Sequence, residues 1–519
     1  MITEQGAAGQ LRSLVSCVGV TRSILAIDQG TTGTTALVMG EDGLTQSRVN
    51  VEFPQHFPEP GWVEHDAEEI WQSVLSSVGE ALRQAGVKGG ELSAIGITNQ
   101  RETTLLWERA TDRPVHRALV WQDRRTAPQC DELRSRGEEA HVRALTGLVL
   151  DPYFSGTKLS WLLTNVPGLR ERAERGELAF GTVDSFLVWR LAGGYRAGAP
   201  HVTDVTNASR TLLMHLAERR WDPGLCKLFG VPTSVLPEIV PSAGIVGKTH
   251  GVPGIPDGIP IAGIAGDQHA ALFGQACFAT GEAKCTYGTG AFLLVNTGST
   301  PVTSRFGLLS TLGWQIGKEV TYALEGSCFV AGALVQWLRD GLGIIPSAPE
   351  IEPLARSVPD SAGVVIVPAL AGLGAPYWDA GARGQISGIT RGTARAHLAR
   401  AALEAIAFEV GDVLQAMAED LGAPIRKMRA DGGAAANDLL LELQADLSGV
   451  SVERPNELES TARGAAMLAG VGVGLYRDGR EAARMVKLNG TFEVRMDGLE
   501  RGRRARAWQD AVRRARSNL

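Results

Sequence analysis

The chain has 519 residues, of which 44% are hydrophobic and 21% charged, and its formal net charge is -6. A chain of this length exceeds what one hydrophobic core supports, so we expect several folding units. The mildly acidic balance argues against nucleic-acid binding, which depends on clustered Lys and Arg, and no run of residues approaches the roughly 18 apolar residues that membrane insertion requires.

The N-terminal segment and the spacing of the cysteines predict where in the cell the protein is located. Residues 1–22 precede the first predicted strand, and their apolar stretch 14–20 is too short for a signal peptide. We therefore expect a disordered extension or a misassigned start codon. The cysteines lack C-x-x-C spacing, which favours buried thiols over disulfides or zinc ligands. We therefore expect a cytoplasmic protein. The six cysteines are Cys17, Cys130, Cys226, Cys277, Cys285 and Cys328.

The first predicted element is a strand pair around a turn rich in glycine and threonine. Apolar residues 24–27 lead into Asp28 and the turn, and apolar residues 36–39 follow it. This pattern predicts a β-hairpin with a glycine-rich tip. Free N–H groups and threonine hydroxyls at such a tip can donate hydrogen bonds to phosphate oxygens.

Strands and helices then alternate, which predicts an α/β fold. Asp66, with Glu69 three positions later in the arrangement of a capping box, predicts the start of a helix. Two buried strands follow, at 94–98 and 259–265, and each ends in polar residues, at 99–102 and 266–269. Polar side chains just beyond buried strands usually line a site.

A second hairpin resembles the first. Residues 283–287 lead into Gly288-Thr289-Gly290, and apolar residues 291–295 follow. Two such turns could hold one nucleotide from both sides, as in a two-lobed enzyme that uses ATP. We place the boundary near residue 274, which gives an N-terminal lobe of residues 23–273 and a C-terminal lobe of residues 274–519.

The C-terminal lobe contains a further candidate turn. A long amphipathic helix is predicted over 396–421, with Gly422 ending it, and a strand over 425–430. Small residues at 431–437 then lead into another helix. They would let a flat ring or a phosphate lie against the backbone, although tight strand–helix packing explains the same pattern equally well.

Seven motifs follow one another along the chain in a recognisable order. They are PGWVEHD at 60–66, GITNQRETT at 96–104, VWQDRRT at 120–126, DPYFSGTK at 151–158, TDVTNASRT at 203–211, GDQ at 266–268 and GLGAPYW at 372–378. With these motifs the chain, from about Ile24 to about Gly474, resembles the glycerol kinases of the FGGY sugar-kinase group. The resemblance implies an actin-like, ribonuclease H-like fold of two lobes around a deep cleft, in which ATP phosphorylates the 3-hydroxyl of glycerol. It also implies a homo-oligomer, either a dimer or a tetramer.

The resemblance also implies roles for single residues. Asp267 is the implied catalytic base, and Asp28 the implied holder of hydrated Mg²⁺. Five residues would hold the glycerol hydroxyls and two would form apolar walls: Arg101, Glu102, Tyr153, Asp267 and Gln268, with Trp121 and Phe292. Ten residues would contact ATP, namely Thr31, Thr32, Gly33, Thr35, Gly288 and Thr289 at the phosphates and Gly332, Gln336, Gly433 and Asn437 around adenosine.

Two departures from the resemblance carry expectations of their own. Most relatives have the sequence Asp-Gln-Gly-Thr-Thr-Ser-Ser-Arg at the first hairpin, whereas Thr35 stands here in place of the arginine. Nucleotide affinity is then lower, or another cation compensates. The loop 251–258 has no Lys or Arg. We therefore predict that fructose 1,6-bisphosphate, which inhibits relatives with a basic loop there, does not inhibit this protein.

Two alternatives remain open at this stage. One is an FGGY-type kinase for another small polyol or ketose. The residues that favour glycerol over these are Arg101, Glu102, Trp121, Tyr153 and Gln268. The other is an actin-like protein that binds ATP without transferring phosphate. Such a protein would be expected to lose Asp28 or Asp267, and both are present.

Overall fold

The computed structural model describes residues 22–87, 89–457 and 459–517. Except for Arg22, the predicted extension lies outside the described residues, as does Cys17. The strands are β1 (Ser23–Gln29), β2 (Gly33–Gly40), β3 (Thr45–Glu52), β4 (Glu64–His65), β5 (Leu92–Asn99), β6 (Leu105–Glu108), β7 (Ala118–Leu119), β8 (Leu178–Gly181), β9 (Val202–Asp204), β10 (Met214–His215), β11 (Arg220–Trp221), β12 (Glu238–Val240), β13 (Ala243–Lys248), β14 (Pro260–Gly266), β15 (Glu282–Tyr287), β16 (Ala291–Gly298), β17 (Leu309–Ile316), β18 (Glu319–Cys328), β19 (Val365–Val367), β20 (Gln385–Ser387), β21 (Lys427–Asp431), β22 (Val452–Pro455) and β23 (Leu488–Phe492).

Helices alternate with these strands along most of the chain. They are α1 (Ala67–Ala85), α2 (Ala127–Ser135), α3 (Glu139–Thr146), α4 (Ser155–Asn165), α5 (Leu169–Glu174), α6 (Val183–Leu191), α7 (Val205–Ala208), α8 (Pro223–Leu228), α9 (Asp267–Gly274), α10 (Gly332–Asp340), α11 (Ile351–Arg356), α12 (Arg395–Leu421), α13 (Asp438–Ser448), α14 (Ser460–Gly472), α15 (Gly479–Ala482) and α16 (Gly498–Ala515). Within the described ranges, none of these helices is both long and apolar enough to cross a lipid bilayer.

One large sheet contains the same topology twice. In the described part of the chain its thirteen strands run in the order β23-β22-β21-β15-β16-β18-β17-β13-β14-β5-β1-β2-β3. The sets β3-β2-β1-β5-β14 and β18-β16-β15-β21-β22 correspond strand by strand. In each set the first three strands pair antiparallel, and the other two continue in parallel. A doubled sheet of this kind is what the expected two-lobed fold requires.

Both predicted hairpins are confirmed, and they occupy equivalent places in the two halves. The first joins β1 to β2, and the second joins β15 to β16. Since β1 and β15 are corresponding strands, the two glycine-rich tips occupy equivalent positions in the two halves of the sheet. The geometry therefore suits a ligand held between two similar turns.

Two helices pack against each other so closely that only glycine fits. An added Cβ on Gly274 of α9 would lie 2.0 Å from the Ser460 oxygen, and one on Gly464 of α14 would lie 1.8 Å from the Ala270 oxygen. Helix α14 also rests on the first half of the sheet, where a Cβ on Gly96 would lie 2.2 Å from a backbone oxygen of the helix. Because α14 follows β22, it links the second half of the chain to the first.

Hydrophobic layers cover both faces of the first half of the sheet. Leu25 and Ile27 of β1 pack towards α1, whereas Ile24 and Ala26 pack towards α14. Alternation of side chains along a strand produces this division. Asp28 follows Ile24 and Ala26 in this alternation and therefore lies on the α14 face of the sheet, near the end of β1.

Candidate active site

A cleft of about 690 Å³ is lined by all seven predicted polyol residues. Because β5 and β14 are parallel neighbours, their carboxyl ends meet, and Asn99 pairs with Gly266. The polar residues that follow these strands therefore lie together. Nine predicted site residues line the cleft: Thr31, Arg101, Glu102, Trp121, Tyr153, Asp267, Gln268, Thr289 and Phe292.

Arg101 is the central residue of the floor of the cleft. Its guanidinium is buried, and its Nε lies 3.0 Å from Oδ1 of Asp267. Its Nη2 donates to the Tyr153 hydroxyl at 3.3 Å. Arg101 thus fixes both the implied base and a residue of the implied hydroxyl site.

Glu102 is held in an unusual backbone conformation next to Arg101. Its φ of 58° is in the left-handed region, which non-glycine residues seldom adopt outside special sites. Its Oε1 accepts a hydrogen bond from Nε of Arg210 at 2.7 Å. Burial raises the pKa of Glu102, although Arg101 and Arg210 oppose that effect.

Glu325 belongs to the same network but was not predicted from the sequence. Arg101 Nη1 lies 2.5 Å from its Oε2, and Arg210 Nη2 donates to its Oε1 at 3.1 Å. Burial raises the pKa of Glu325, but the two guanidinium groups outweigh burial and hold it well below its usual value. A charged residue within the buried strand β18 is the signal that could have revealed it.

Asp267 stands at the first position of α9, directly after the end of β14. Its Oδ1 accepts from the Gln268 N–H at 2.6 Å in addition to its ion pair with Arg101. About a third of its side chain remains exposed, at 32%. The carboxylate is therefore fixed in place and still open to the cleft.

Gln268 is positioned by a second residue that sequence reasoning missed. The buried Lys284 donates to the Gln268 carboxamide oxygen and to the Thr286 hydroxyl, the latter at 3.0 Å. Burial lowers the pKa of Lys284 below 10.5. Like Glu325, Lys284 is a charged residue in the middle of a buried strand.

Trp121 is a wall of the cleft and also touches the first hairpin. Its ring meets that of Tyr153 edge to face, with centroids 5.7 Å apart. Its indole N–H donates to the Thr31 hydroxyl at 2.9 Å. Phe292, on β16, lines the cleft from the second half of the molecule.

The hairpin tips carry donors suited to an anion. The N–H groups of Thr31, Thr32 and Thr289 have no acceptor among the described residues. Within those same residues, no group of three or more His, Cys, Asp or Glu side chains could hold a metal ion. A cation there would therefore depend on few protein ligands and on oxygens from a bound molecule.

Asp28 is the acidic residue next to the first tip. Burial, together with the carboxylates of Asp267 and Glu459, raises its pKa from 3.8 to about 8, against the opposing charge of Arg48. Excess negative charge at a partly buried position favours binding of a cation. This observation fits the implied Mg²⁺ site.

Comparison with known proteins decides the family. Residues 23–274 match the N-terminal domain of the FGGY family of carbohydrate kinases, and residues 283–473 match its C-terminal domain. The chain belongs to this family. The resemblance found in the sequence motifs is thereby confirmed.

Individual relatives of this FGGY kinase span nearly its whole length. A protein named glycerol kinase from Alkalilimnicola ehrlichii is 56% identical over 496 residues, which cover 95% of this chain and 98% of the relative. One from Deinococcus radiodurans is 55% identical over 494 residues, covering 95% and 97%. A crystal structure of Plasmodium falciparum glycerol kinase with ADP superposes with a TM-score of 0.91 at 34% identity, covering 96% of this chain and 99% of that one. The expected actin-like fold class is confirmed.

The remaining predicted ATP residues of this FGGY kinase lie outside the lining of the cleft. Gly33 and Thr35 are in β2, and the Gly332 N–H donates to the Gly288 oxygen at 2.9 Å. Gln336 is exposed on α10. Asn437 caps α13 through its side-chain oxygen, 2.9 Å from the Leu440 nitrogen.

Two glycines leave room for a ligand beside the second tip. An added Cβ on Gly433 would meet nothing within 4 Å, and one on Gly288 would meet only the Gly290 oxygen, at 3.7 Å. Tight strand–helix packing was the alternative explanation of the small residues in this turn, and it does not account for Gly433. By contrast, a Cβ on Gly432 would lie 2.4 Å from the Tyr287 oxygen. Open space at Gly433 fits the implied adenosine site.

Proposed function

We propose that this chain transfers the γ-phosphoryl group of ATP to the 3-hydroxyl of glycerol, producing sn-glycerol 3-phosphate and ADP. The observation that carries the proposal is the Arg101–Asp267 pair, 3.0 Å apart, on the floor of a cleft that both glycine-rich hairpins border. The choice of glycerol is supported by relatives named glycerol kinase at 55% and 56% identity.

The floor of the cleft offers several charged and polar groups to a small triol. An unpaired buried polar group costs about 1–3 kcal/mol, so a site for glycerol must pair nearly every hydroxyl. A site built in this way rejects analogues that lack one hydroxyl. The groups proposed to hold the hydroxyls are Arg101, Glu102, Tyr153, Asp267 and Gln268, with Trp121 and Phe292 against the carbon chain.

Asp267 is proposed to accept the proton of the attacking hydroxyl. The hydroxyl oxygen forms a bond to the γ-phosphorus while the bond from that phosphorus to the bridging oxygen breaks, and ADP leaves with the electron pair. Arg101 orients the carboxylate. Phosphoryl transfer depends mainly on alignment and charge neutralisation, so the fixed position of Asp267 matters as much as its basicity.

The nucleotide is proposed to lie between the two tips. Thr31, Thr32, Gly33 and Thr35 on one side and Gly288 and Thr289 on the other would hold the phosphates, and Gly332, Gln336, Gly433 and Asn437 would surround adenosine. Asp28 would hold Mg²⁺ through its water shell, and the ion would neutralise phosphate charge.

The organisation of the protein follows from this proposal. We propose lobes of residues 23–273 and 274–519 that close over the substrates, so that water cannot accept the phosphoryl group. The family matches at 23–274 and 283–473 support this division. Five free, buried cysteines in the described ranges support the proposed cytoplasmic location. A dimer or tetramer remains a prediction.

The test is an assay of purified protein with Mg·ATP and a series of alcohols. We expect ADP release that depends on glycerol, with equimolar glycerol 3-phosphate measured by oxidation with its dehydrogenase. Xylulose, gluconate, ribitol and erythritol serve as competing substrates at equal concentration. A higher kcat/KM for any of these, or ADP release without phosphorylated product, would reject glycerol as the substrate.

A further inference from the structure

Arg48 lies two strands away from Asp28 in the sheet, on β3, with β2 between them. The register of β1 and β2 pairs Asp28 with Thr35, and that of β2 and β3 pairs Thr35 with Asn50 and Leu37 with Arg48. Arg48 is therefore the diagonal neighbour of Thr35. Diagonal neighbours are roughly 7–8 Å apart, within reach of a long side chain.

The packing shows which face of the sheet Arg48 occupies. Leu37 belongs to the hydrophobic cluster beneath α14, whereas the Ser47 hydroxyl donates to the Ala81 oxygen of α1 at 2.7 Å. Because side chains alternate along β3, Arg48 lies on the α14 face. That is also the face of Asp28.

Contacts of the guanidinium agree with this placement. Arg48 Nη2 is 2.7 Å from Oε1 of Glu459, the residue just before α14. The side chain of Arg48 is 45% exposed and that of Glu459 is 33% exposed. An ion pair with that much exposure contributes little to stability and exchanges partners easily. Arg48 is also the cation that lowers the pKa of Asp28.

We propose that Arg48 binds the polyphosphate of the nucleotide and supplies the positive charge that Thr35 lacks. Glu459 holds the guanidinium in the absence of nucleotide, and a phosphate oxygen replaces Glu459 when nucleotide binds. A guanidinium presents several donors in a fixed plane that matches phosphate geometry. The inference rests on the proposed function, since it places the phosphates at the first hairpin.

The test measures nucleotide binding without any alcohol. Calorimetric titration with β,γ-imido-ATP and Mg²⁺ compares the wild type with Arg48→Ala and Arg48→Lys. We expect Arg48→Ala to weaken binding about tenfold, as for loss of a charge-assisted hydrogen bond, and Arg48→Lys to weaken it less. Steady-state kinetics should show a higher KM for ATP and an unchanged KM for glycerol.

Matched variants separate this role from a general loss of positive charge. Arg83 is an exposed arginine paired with Glu80 at 2.6 Å on α1, and Arg83→Ala should bind nucleotide as the wild type does. Restored binding in the double variant Thr35→Arg/Arg48→Ala would support the proposal strongly. Equal binding by Arg48→Ala and Arg83→Ala would overturn it, as would equal rises in both KM values. Failure of the wild type to phosphorylate glycerol would reject the proposed function and not the role of Arg48. The two failures can be told apart because the binding experiment contains no glycerol.

Discussion

Arg101 and Glu325, 224 residues apart in the chain, form a two-point ion pair at 2.5 and 3.0 Å. Arg101 follows β5 in the first half of the sheet, and Glu325 lies in β18 of the second half. The pair therefore joins the two halves at the floor of the cleft. A contact that holds the residue beside the proposed base should affect both stability and substrate binding.

Glu325→Gln should lower the free energy of unfolding by about 3 kcal/mol, because removal of one partner leaves buried guanidinium charge uncompensated. The melting temperature and the KM for glycerol report the effect, and the KM for glycerol should rise more than that for ATP. The control is Glu80→Gln, which removes an exposed carboxylate paired with Arg83. Equal melting temperatures for the two variants would show that the ion pair of Glu325 contributes nothing to the stability of the folded protein.

Asp267→Asn should reduce kcat by roughly 10²–10⁴, the usual contribution of a positioned general base. Nucleotide binding should stay near that of the wild type, since the proposed phosphate contacts lie at the hairpin tips. Single-turnover kinetics and calorimetric titration with ADP measure the two quantities separately. Turnover within a few-fold of the wild type would remove Asp267 from its proposed role.

Gly464→Ala should destabilise the protein by roughly 3 kcal/mol or more, because its Cβ would lie 1.8 Å from the backbone oxygen of Ala270. Gly79→Ala is the matched control in another helix, α1, where a Cβ meets nothing within 4 Å. That substitution should stabilise by up to about 1 kcal/mol through helix propensity. Thermal denaturation of both variants checks the prediction, and similar melting temperatures would contradict the close packing of α9 and α14.

Glu409 should make the stability of the protein fall as the pH rises. It is buried, its Oε2 has no partner within the described residues, and burial together with Asp412 raises its pKa from 4.5 to about 8. The folded state therefore holds a proton that the unfolded state loses. The contribution is complete below about pH 4.5 and is lost progressively towards pH 8, at up to about 1.4 kcal/mol per pH unit.

Glu409→Gln isolates this contribution. Relative to the wild type, the variant should gain melting temperature as the pH increases from 5 to 8. The measurement is a set of thermal melts at half-unit steps of pH. A constant difference between variant and wild type across that range would show that Glu409 does not titrate with a raised pKa.

Fructose 1,6-bisphosphate at millimolar concentration should leave the rate of glycerol phosphorylation unchanged. The loop 251–258 contains no basic residue, and its Asp257 accepts from the Gly251 N–H at 2.7 Å. A carboxylate at this position repels a bisphosphate. Rates measured with and without the sugar, with sorbitol as the neutral control, provide the check.

Several local features could be read from the sequence because neighbouring residues determine them. Asp66 caps α1 by accepting from the Glu68 N–H, as its position predicts, and Gly422 ends α12 with a φ of 67°. Where a long-range partner competes, local reasoning was incomplete. Glu69 lies 2.8 Å from His56 instead of completing a capping box.

The floor of the cleft was only partly predictable. Arg101, Glu102 and Asp267 were found through motifs, but Glu325 and Lys284 were not, because an isolated charge within an apolar strand has no recognisable sequence partner. The chain separations explain the difference. Arg210 donates to Glu102 across 108 residues and to Glu325 across 115 residues.

The sequence by itself determined the two hairpins and the alternation of strands and helices, since short-range periodicity and turn chemistry encode these. Its motifs, through their resemblance to a family, also gave the family and nine of the residues that line the cleft. The tertiary structure decided which charges meet. It placed Arg48 on the same face of the sheet as Asp28 through strand register and placed Glu325 between two arginines through the joining of two sheet halves. Electrostatic interactions depend on distance in space and on burial, and neither quantity can be read from position along the chain.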